Sequence, residues 1–110
     1  MAMNDVSVIV VATIDVLAGM EERAEQVLRS AIPAVHAEPG CQRYALHRAS
    51  NSSTTFVMVE KWQSAAALDR HVEAAAFTEL TAALADCLAK PIDISVVTPI
   101  PEGDDHLGRI

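Results

Sequence analysis

The order of strand-like and helix-like segments is the feature that most constrains the fold of this chain. Segments rich in β-branched residues are typical of strands, and segments with apolar residues every three to four positions are typical of helices. The order β-α-β-β-α-β predicts a ferredoxin-like α+β sandwich, a four-stranded antiparallel sheet with the helices on one face. The strand-like segments are residues 6–17, 41–48, 55–62 and 92–100, and the helix-like segments are residues 20–35 and 65–89.

Proline, glycine and serine residues mark the boundaries of these segments. Pro39 and Gly40 are expected to turn the chain into the second strand. Pro33 is expected to kink or interrupt the first helix near its end. Ser64 is suited to cap the second helical segment, which is expected to form two pieces and to end before Pro91.

The chain is short and rich in apolar residues. Its 110 residues suit one domain, here residues 1–101, followed by a polar tail over residues 102–110. Hydrophobic residues make up 51% of the chain, and the mean hydropathy is +0.23. Such a surplus of apolar surface on a small domain indicates a cofactor, a ligand or a partner chain that covers it.

Charge and motif content exclude several classes of function. The net charge of −7 argues against nucleic acid and against anionic membranes, because no basic surface would neutralise phosphates. No apolar run reaches the ~20 residues of a membrane span, and residues 1–5 lack the basic region of a signal peptide. A cytoplasmic protein is therefore expected, with Cys41 and Cys87 as unpaired thiols. Glycine-rich phosphate loops, GxSxG and metal-ligand clusters are missing from the sequence, which disfavours nucleotide, flavin and metal enzymes.

The two faces of the predicted sheet differ in polarity but are both apolar enough to need a cover. Period-two alternation directs the more apolar set toward the helices. Packing against an identical subunit would cover the opposite set, so a homodimer is expected; the alternative is a monomer with a half-wet sheet. The helix-facing set is Val8, Val10, Ala12, Ile14, Tyr44, Leu46, Phe56, Met58, Glu60, Trp62, Ile92, Ile94 and Val96, and the opposite set is Ile9, Val11, Ala45, Val57, Val59 and Val97.

Three polar side chains in the helix-facing layer are candidates for chemistry. Glu60 is either an acid or base with a raised pKa or a structural carboxylate bonded to its neighbours. His71 shares an apolar helix edge with Leu68, and it is either a general base or a satisfied core histidine. Tyr44 either donates its hydroxyl to a ligand or bonds it within the core. Five apolar side chains could form a cavity wall around them, or simply core: Phe56, Met58, Trp62, Leu68 and Phe77.

The same residues also resemble a known family. The motifs are the turn and strand EPGCQRY over residues 38–44, Glu60 and Trp62 at the end of the third strand, Ala67, Leu68 and His71 on a helix, and Phe77 beyond them. In their order and spacing, from the first strand to about residue 101, they resemble the motifs of the antibiotic biosynthesis monooxygenase family.

The resemblance implies a dimeric α+β barrel and a cofactor-independent oxygenase of quinols, anthrones or related polyphenols. In that reading His71 is the base, Glu60 orients or polarises it, and Tyr44 places the substrate. Related haem-degrading proteins carry Trp at the position of His71, a haem-ligating His at that of Thr81 and Asn at that of Ala12. The resemblance therefore implies no haem and no other cofactor or metal.

Other functions remain compatible with the residues alone. One alternative is a small-ligand-binding dimer without catalysis, and another is an isomerase of a small carbonyl compound on the same fold. The second would need an anion site if its substrate is phosphorylated, which the acidic balance disfavours. A third is a structural dimer whose pocket is filled by its own side chains.

Overall fold

The computed structural model describes residues 6–110, so the expectation about residues 1–5 lies outside the described part of the chain. The sheet is antiparallel with strand order β2-β3-β1-β4, and β1 is central because both β3 and β4 pair with it. This is the predicted ferredoxin-like order. The elements are β1 (Val8–Asp15), α1 (Glu21–His36), β2 (Cys41–Arg48), β3 (Thr55–Trp62), α2 (Ala65–Glu73), α3 (Ala75–Leu84) and β4 (Asp93–Val97).

The second helical segment is divided as expected. Ser64 caps α2, because its hydroxyl accepts a hydrogen bond from the backbone N–H of Ala67 at 3.2 Å. Ala74 then adopts an extended backbone, with ψ of 155°, and separates α2 from α3. The break redirects the chain immediately after the last turn of α2, which carries His71.

Helix α1 runs through Pro33, so the expected interruption was wrong. Proline in a helix removes one backbone hydrogen bond and crowds the preceding turn. Here the apolar face of α1, with Leu28 and Val35 both buried, packs against the rest of the domain and offsets that loss. The helix therefore reaches His36, and residues 37–40 connect it to β2.

Strand β4 is shorter and more exposed than the sequence predicts. Ile94 lies opposite Ala12 and Val96 opposite Val10, which puts both on the side of the sheet that bears the helices. Nevertheless, Ile94 is 53% and Val96 55% exposed. The expectation that the helices cover them was wrong, because β4 is an edge strand and the helices pack over β2 and β3 instead.

The opposite face of the sheet is only partly covered. Ile9 is buried within the single chain, whereas Val11, Val57 and Val59 are half-buried and Val97 is exposed. Lys61 lies next to Ile9 in the β1–β3 pairing, and its Nζ donates to the carbonyl oxygen of Ile110 at 2.7 Å. The C-terminal tail therefore contacts this face through Ile110, while most of its residues stay exposed.

Two further expectations concern the cysteines and membrane-spanning segments. Cys41 and Cys87 are both unpaired, the first half-buried and the second buried, as expected. In the described part of the chain, no helix combines the length and the apolar character that crossing a bilayer requires.

Candidate functional site

The side chain of His71 lies at the centre of a buried aromatic cluster. It is 3% exposed and stacks on the Trp62 indole, with ring centroids 4.5 Å apart and planes inclined by 29°. Tyr44 and Phe77 meet the imidazole edge-on, at centroid distances of 5.7 and 5.3 Å. Helix α2 supplies the imidazole, β2 and β3 supply the rings beneath it, and α3 closes the cluster with Phe77.

A carboxylate from the loop before β2 holds the imidazole. Glu38 Oε1 lies 2.8 Å from His71 Nδ1, and the Glu38 side chain is 14% exposed. Backbone bonds fix this loop, because Cys41 N–H donates to Glu38 O at 3.2 Å and Gln63 N–H donates to Gly40 O at 2.8 Å. The Glu38 carboxylate accepts a hydrogen bond from Nδ1–H, which leaves Nε2 as the basic nitrogen of the ring.

Sequence reasoning missed the role of Glu38. The residue begins the EPGCQRY motif, but it precedes the strand, and alternation along a strand gives no direction for a loop side chain. The available signal was the pair Pro39 and Gly40, which predicts a tight turn that returns the chain toward the sheet. A carboxylate just before such a turn can reach a helix packed over it.

Glu60 contacts the cluster through Trp62. The indole Nε1–H of Trp62 donates to Glu60 Oε1 at 2.9 Å, and both side chains are buried on the same face of β3. Burial raises the pKa of the Glu60 carboxyl; the Trp62 hydrogen bond and the nearby His71 oppose this shift, and the charge of Glu38 adds to it. The direct carboxylate partner of His71 is therefore Glu38, whereas Glu60 holds the indole on which the imidazole stacks.

The raised pKa of Glu60 predicts a pH-dependent stability difference between the wild type and Glu60→Gln. The folded state binds the Glu60 proton more tightly than the unfolded state does, because in the unfolded state the carboxyl has its ordinary pKa of 4.5. The contribution of Glu60 to the free energy of unfolding is therefore full below that value and falls as pH rises through the raised one.

We expect the wild type to lose stability relative to Glu60→Gln as pH rises from about 4.5 toward neutrality. Urea unfolding across that range measures the difference. The exposed Glu79→Gln serves as the matched control and should show no such slope. A difference independent of pH would contradict the assignment of a raised pKa.

Tyr44 and Cys41 border the cluster on the β2 side. Tyr44 is 5% exposed, and its pKa is raised by burial and by the charges of Glu60 and Glu38, so the phenol keeps its proton at neutral pH. The pKa of the Cys41 thiol is also raised, by burial first and then by the same two carboxylates. His36 Nε2 lies 3.0 Å from the backbone oxygen of Tyr44, a partner that the sequence did not reveal.

The structure brings together only part of the predicted cavity wall. Trp62 and Phe77 contact His71 directly. Leu68 is half-buried on α2, the helix that carries His71. Phe56 lies six residues from Trp62 along β3, or roughly 20 Å at ~3.3 Å per residue. Its ring lies under the Arg48 guanidinium instead, 4.8 Å from the guanidinium carbon. Met58 is buried between these two ends of the strand.

A groove at the start of β2 includes one residue of the cluster, Tyr44, in its lining. It has a volume of about 320 Å³ and is lined by six residues, among them His36, Cys41 and Tyr44. A larger groove of about 730 Å³ lies between α1 and α3, where alanines and exposed polar side chains line it, away from His71. Of these two grooves, only the one at β2 is lined by a residue, Tyr44, whose ring contacts the imidazole.

The candidate site is therefore a carboxylate–imidazole pair in an apolar, aromatic setting. Within residues 6–110, no three histidine, cysteine, aspartate or glutamate side chains are grouped so that they could hold a metal ion. The arrangement can accept a proton at His71 Nε2, and Glu38 can stabilise the resulting imidazolium.

Comparison with known proteins decides the family. The sequence model of the family described as "Antibiotic biosynthesis monooxygenase" matches residues 7–83. The chain belongs to this family. The match runs from β1 to Ala83, in the last turn of α3, and includes Glu38, Glu60 and His71.

Two curated relatives and one solved structure are also similar to this chain. A proposed monooxygenase of Bacillus subtilis, YcnE, is 36% identical over 76 residues, which cover 66% of this chain and 80% of that protein. An uncharacterised Synechocystis protein is 29% identical over 92 residues, covering 84% of this chain and 63% of its own length. A crystal structure of PA3566 from Pseudomonas aeruginosa superposes with a TM-score of 0.82 at 28% identity, over 90% of this chain and 99% of that one. The relatives support a monooxygenase-like role.

Proposed function

We propose that this protein is a cofactor-independent monooxygenase that acts on a small aromatic hydroxy compound of the quinol, anthrone or polyphenol type. The observation that carries the proposal is the buried pair of Glu38 and His71, 2.8 Å apart, within a cluster of aromatic rings. Membership in the antibiotic biosynthesis monooxygenase family supports the reaction class. The acidic balance of the chain disfavours a phosphorylated substrate, as an isomerase of such compounds would need.

The chemistry begins with the removal of a proton. His71 Nε2 takes the proton of an aromatic hydroxyl, or of the enol form of an anthrone, and Glu38 stabilises the imidazolium through Nδ1. The resulting anion is electron-rich and transfers one electron to O2, which gives a carbon-centred radical and superoxide. These two combine into a peroxide, which takes a proton from His71 and loses water to form a carbonyl. Substrate and O2 are thus converted into the carbonyl product and one water.

The other side chains of the cluster act on binding and orientation. Tyr44, whose phenol stays protonated, can donate a hydrogen bond to the substrate anion. Glu60 holds the Trp62 indole against the imidazole and so fixes the ring plane of His71. The groove lined by His36, Cys41 and Tyr44 is the candidate entry for the ligand, because Tyr44 contacts the imidazole of His71.

Oxygen consumption by the purified protein tests the proposal. The panel contains hydroquinones, naphthols and anthrones, with a metal chelator present and without added flavin. We expect catalysed uptake of one O2 per substrate consumed. No uptake, together with a rise in melting temperature on ligand addition, would instead indicate a binding protein, since ligand at a hundred times its Kd stabilises by about 2.7 kcal/mol.

We also propose that the protein works as a homodimer through its open sheet face. Val11, Val57 and Val59 are only half-buried there, and Ala45 and Val97 are exposed. A second copy packed sheet to sheet would remove these side chains from water.

Sedimentation velocity tests the dimer. We expect twice the chain mass of 11.8 kDa for the wild type and a shift toward the monomer for Val57→Glu, which places a charge in the interface. Val72→Glu, on the exposed surface of α2, is the matched control and should remain dimeric. A wild type that sediments as a monomer at every concentration would contradict the proposal.

A further inference from the structure

One oxygen of the Glu38 carboxylate is left without a partner. Oε1 is bonded to His71 Nδ1, but Oε2 is buried and has no hydrogen-bond partner among residues 6–110. It is also the single buried side-chain nitrogen or oxygen atom in this range of which that is true. A buried acceptor that stays unsatisfied costs about 1–3 kcal/mol, and more when it is charged. A buried acceptor without a donor is therefore a candidate ligand-binding atom.

The neighbours of Glu38 do not supply the missing donor. The Cys41 thiol donates toward the backbone oxygen of Arg43, at 3.8 Å. Glu60 is a second carboxylate, already engaged by Trp62, and His71 has given its Nδ1 to Oε1. The ion pairs of four basic residues lie elsewhere, on Glu25, Asp86 and Asp15; the four are Arg23, Arg29, Arg48 and Lys90. A hydroxyl group of a neutral ligand can supply the hydrogen bond that Oε2 lacks.

We propose that Glu38 Oε2 accepts a hydrogen bond from a second hydroxyl of the bound ligand, so that the site selects dihydroxy-aromatic compounds over monohydric phenols. The inference rests on the proposed function, because it assigns the first hydroxyl to His71 Nε2. Glu38 then has two roles, one for each oxygen. Oε1 orients the imidazole of His71, and Oε2 binds the second hydroxyl of the substrate.

The chemistry of the ligand follows from this division. One hydroxyl loses its proton to His71, and the other donates to a carboxylate, which is a stronger acceptor than a neutral group. A monohydric phenol would leave Oε2 buried and unsatisfied in the complex. A methyl ether would bring a further acceptor against it. Both should bind more weakly than the diol of the same ring system.

Anaerobic binding measurements separate this inference from the catalytic proposal. The isomeric dihydroxynaphthalenes and α-naphthol are titrated against the wild type, with oxygen excluded so that no turnover occurs. We expect the best diol to bind at least about tenfold more tightly than α-naphthol, since a hydrogen bond to a charged group contributes about 1.5–3 kcal/mol. Glu38→Gln should reduce this preference to about twofold or less, because its amide N–H₂ can replace Oε2 and donate instead of accept.

Two further variants keep the test decisive. Glu73→Gln makes the same chemical change on the exposed side of α2 and should retain the full preference for the diol. Glu38→Asp keeps the charge and should retain part of the preference if Glu38→Gln proves unstable. Equal binding of diol and α-naphthol by the wild type would overturn the inference while leaving the catalytic proposal intact. Binding of neither compound would overturn both.

Discussion

Replacing His71 by alanine should lower kcat for oxygen consumption by about 10²–10⁴-fold, the range that general-base catalysis supplies. The variant removes the one basic nitrogen in the cluster that a carboxylate orients. It also leaves Glu38 without its imidazole partner, so the residual rate should come from binding and from the remaining hydrogen-bond donors. Initial rates on the best substrate of the oxygen-uptake panel measure the loss.

Chemical rescue separates the base from a structural role of the ring. Imidazole added to His71→Ala should restore part of kcat in a concentration-dependent way, because the deleted ring leaves a cavity of its own shape. His47→Ala removes an exposed histidine on β2 and should leave the rate unchanged. A His71→Ala protein that folds and keeps full activity on every substrate would exclude His71 as the base.

The sheet and its helix-facing layer could be predicted from the sequence because period and strand order determine them. Strands β2 and β3 occupy the predicted residues, 41–48 and 55–62. Tyr44, Glu60 and Trp62 are buried on one face, as alternation requires. His71 joins them because α2 packs over β3. The positions of Tyr44, Glu60 and Trp62 depend on the local periodicity of their strands, which a single sequence shows directly.

The remainder depends on contacts between segments that are distant in the chain. Glu38 and His71 are 33 residues apart, and no periodic pattern relates a loop to a helix edge. The exposure of Ile94 and Val96 reflects which strands the helices cover, a tertiary property. Phe56 shares the face of Trp62 but lies at the far end of β3, so a shared face was not sufficient evidence for a shared pocket.

Gly40→Ala should destabilise the fold by about 2–5 kcal/mol and disturb the pair of Glu38 and His71. Gly40 has φ of +84°, and a Cβ added there would lie 2.5 Å from the Ala67 Cβ. A left-handed backbone costs a residue with a Cβ about 1–2 kcal/mol, and overpacking adds about 1–3 kcal/mol. The close approach connects the loop of Glu38 to α2, one turn before His71, so its disruption should also lower kcat.

Gly19→Ala separates the two contributions, because Gly19 has φ of +91° but no atom within 4 Å of the added Cβ. It should cost only the backbone term and leave the oxygen-uptake rate unchanged. Ala67→Gly relieves the clash, so Gly40→Ala with Ala67→Gly should be less destabilised than the sum of the single variants by about 1–3 kcal/mol. Urea unfolding of the four proteins of this cycle gives the coupling. If the effects of Gly40→Ala and Ala67→Gly on the free energy of unfolding simply add, close packing between the loop and α2 does not hold Glu38 against His71. The backbone hydrogen bonds of the loop would then position it alone.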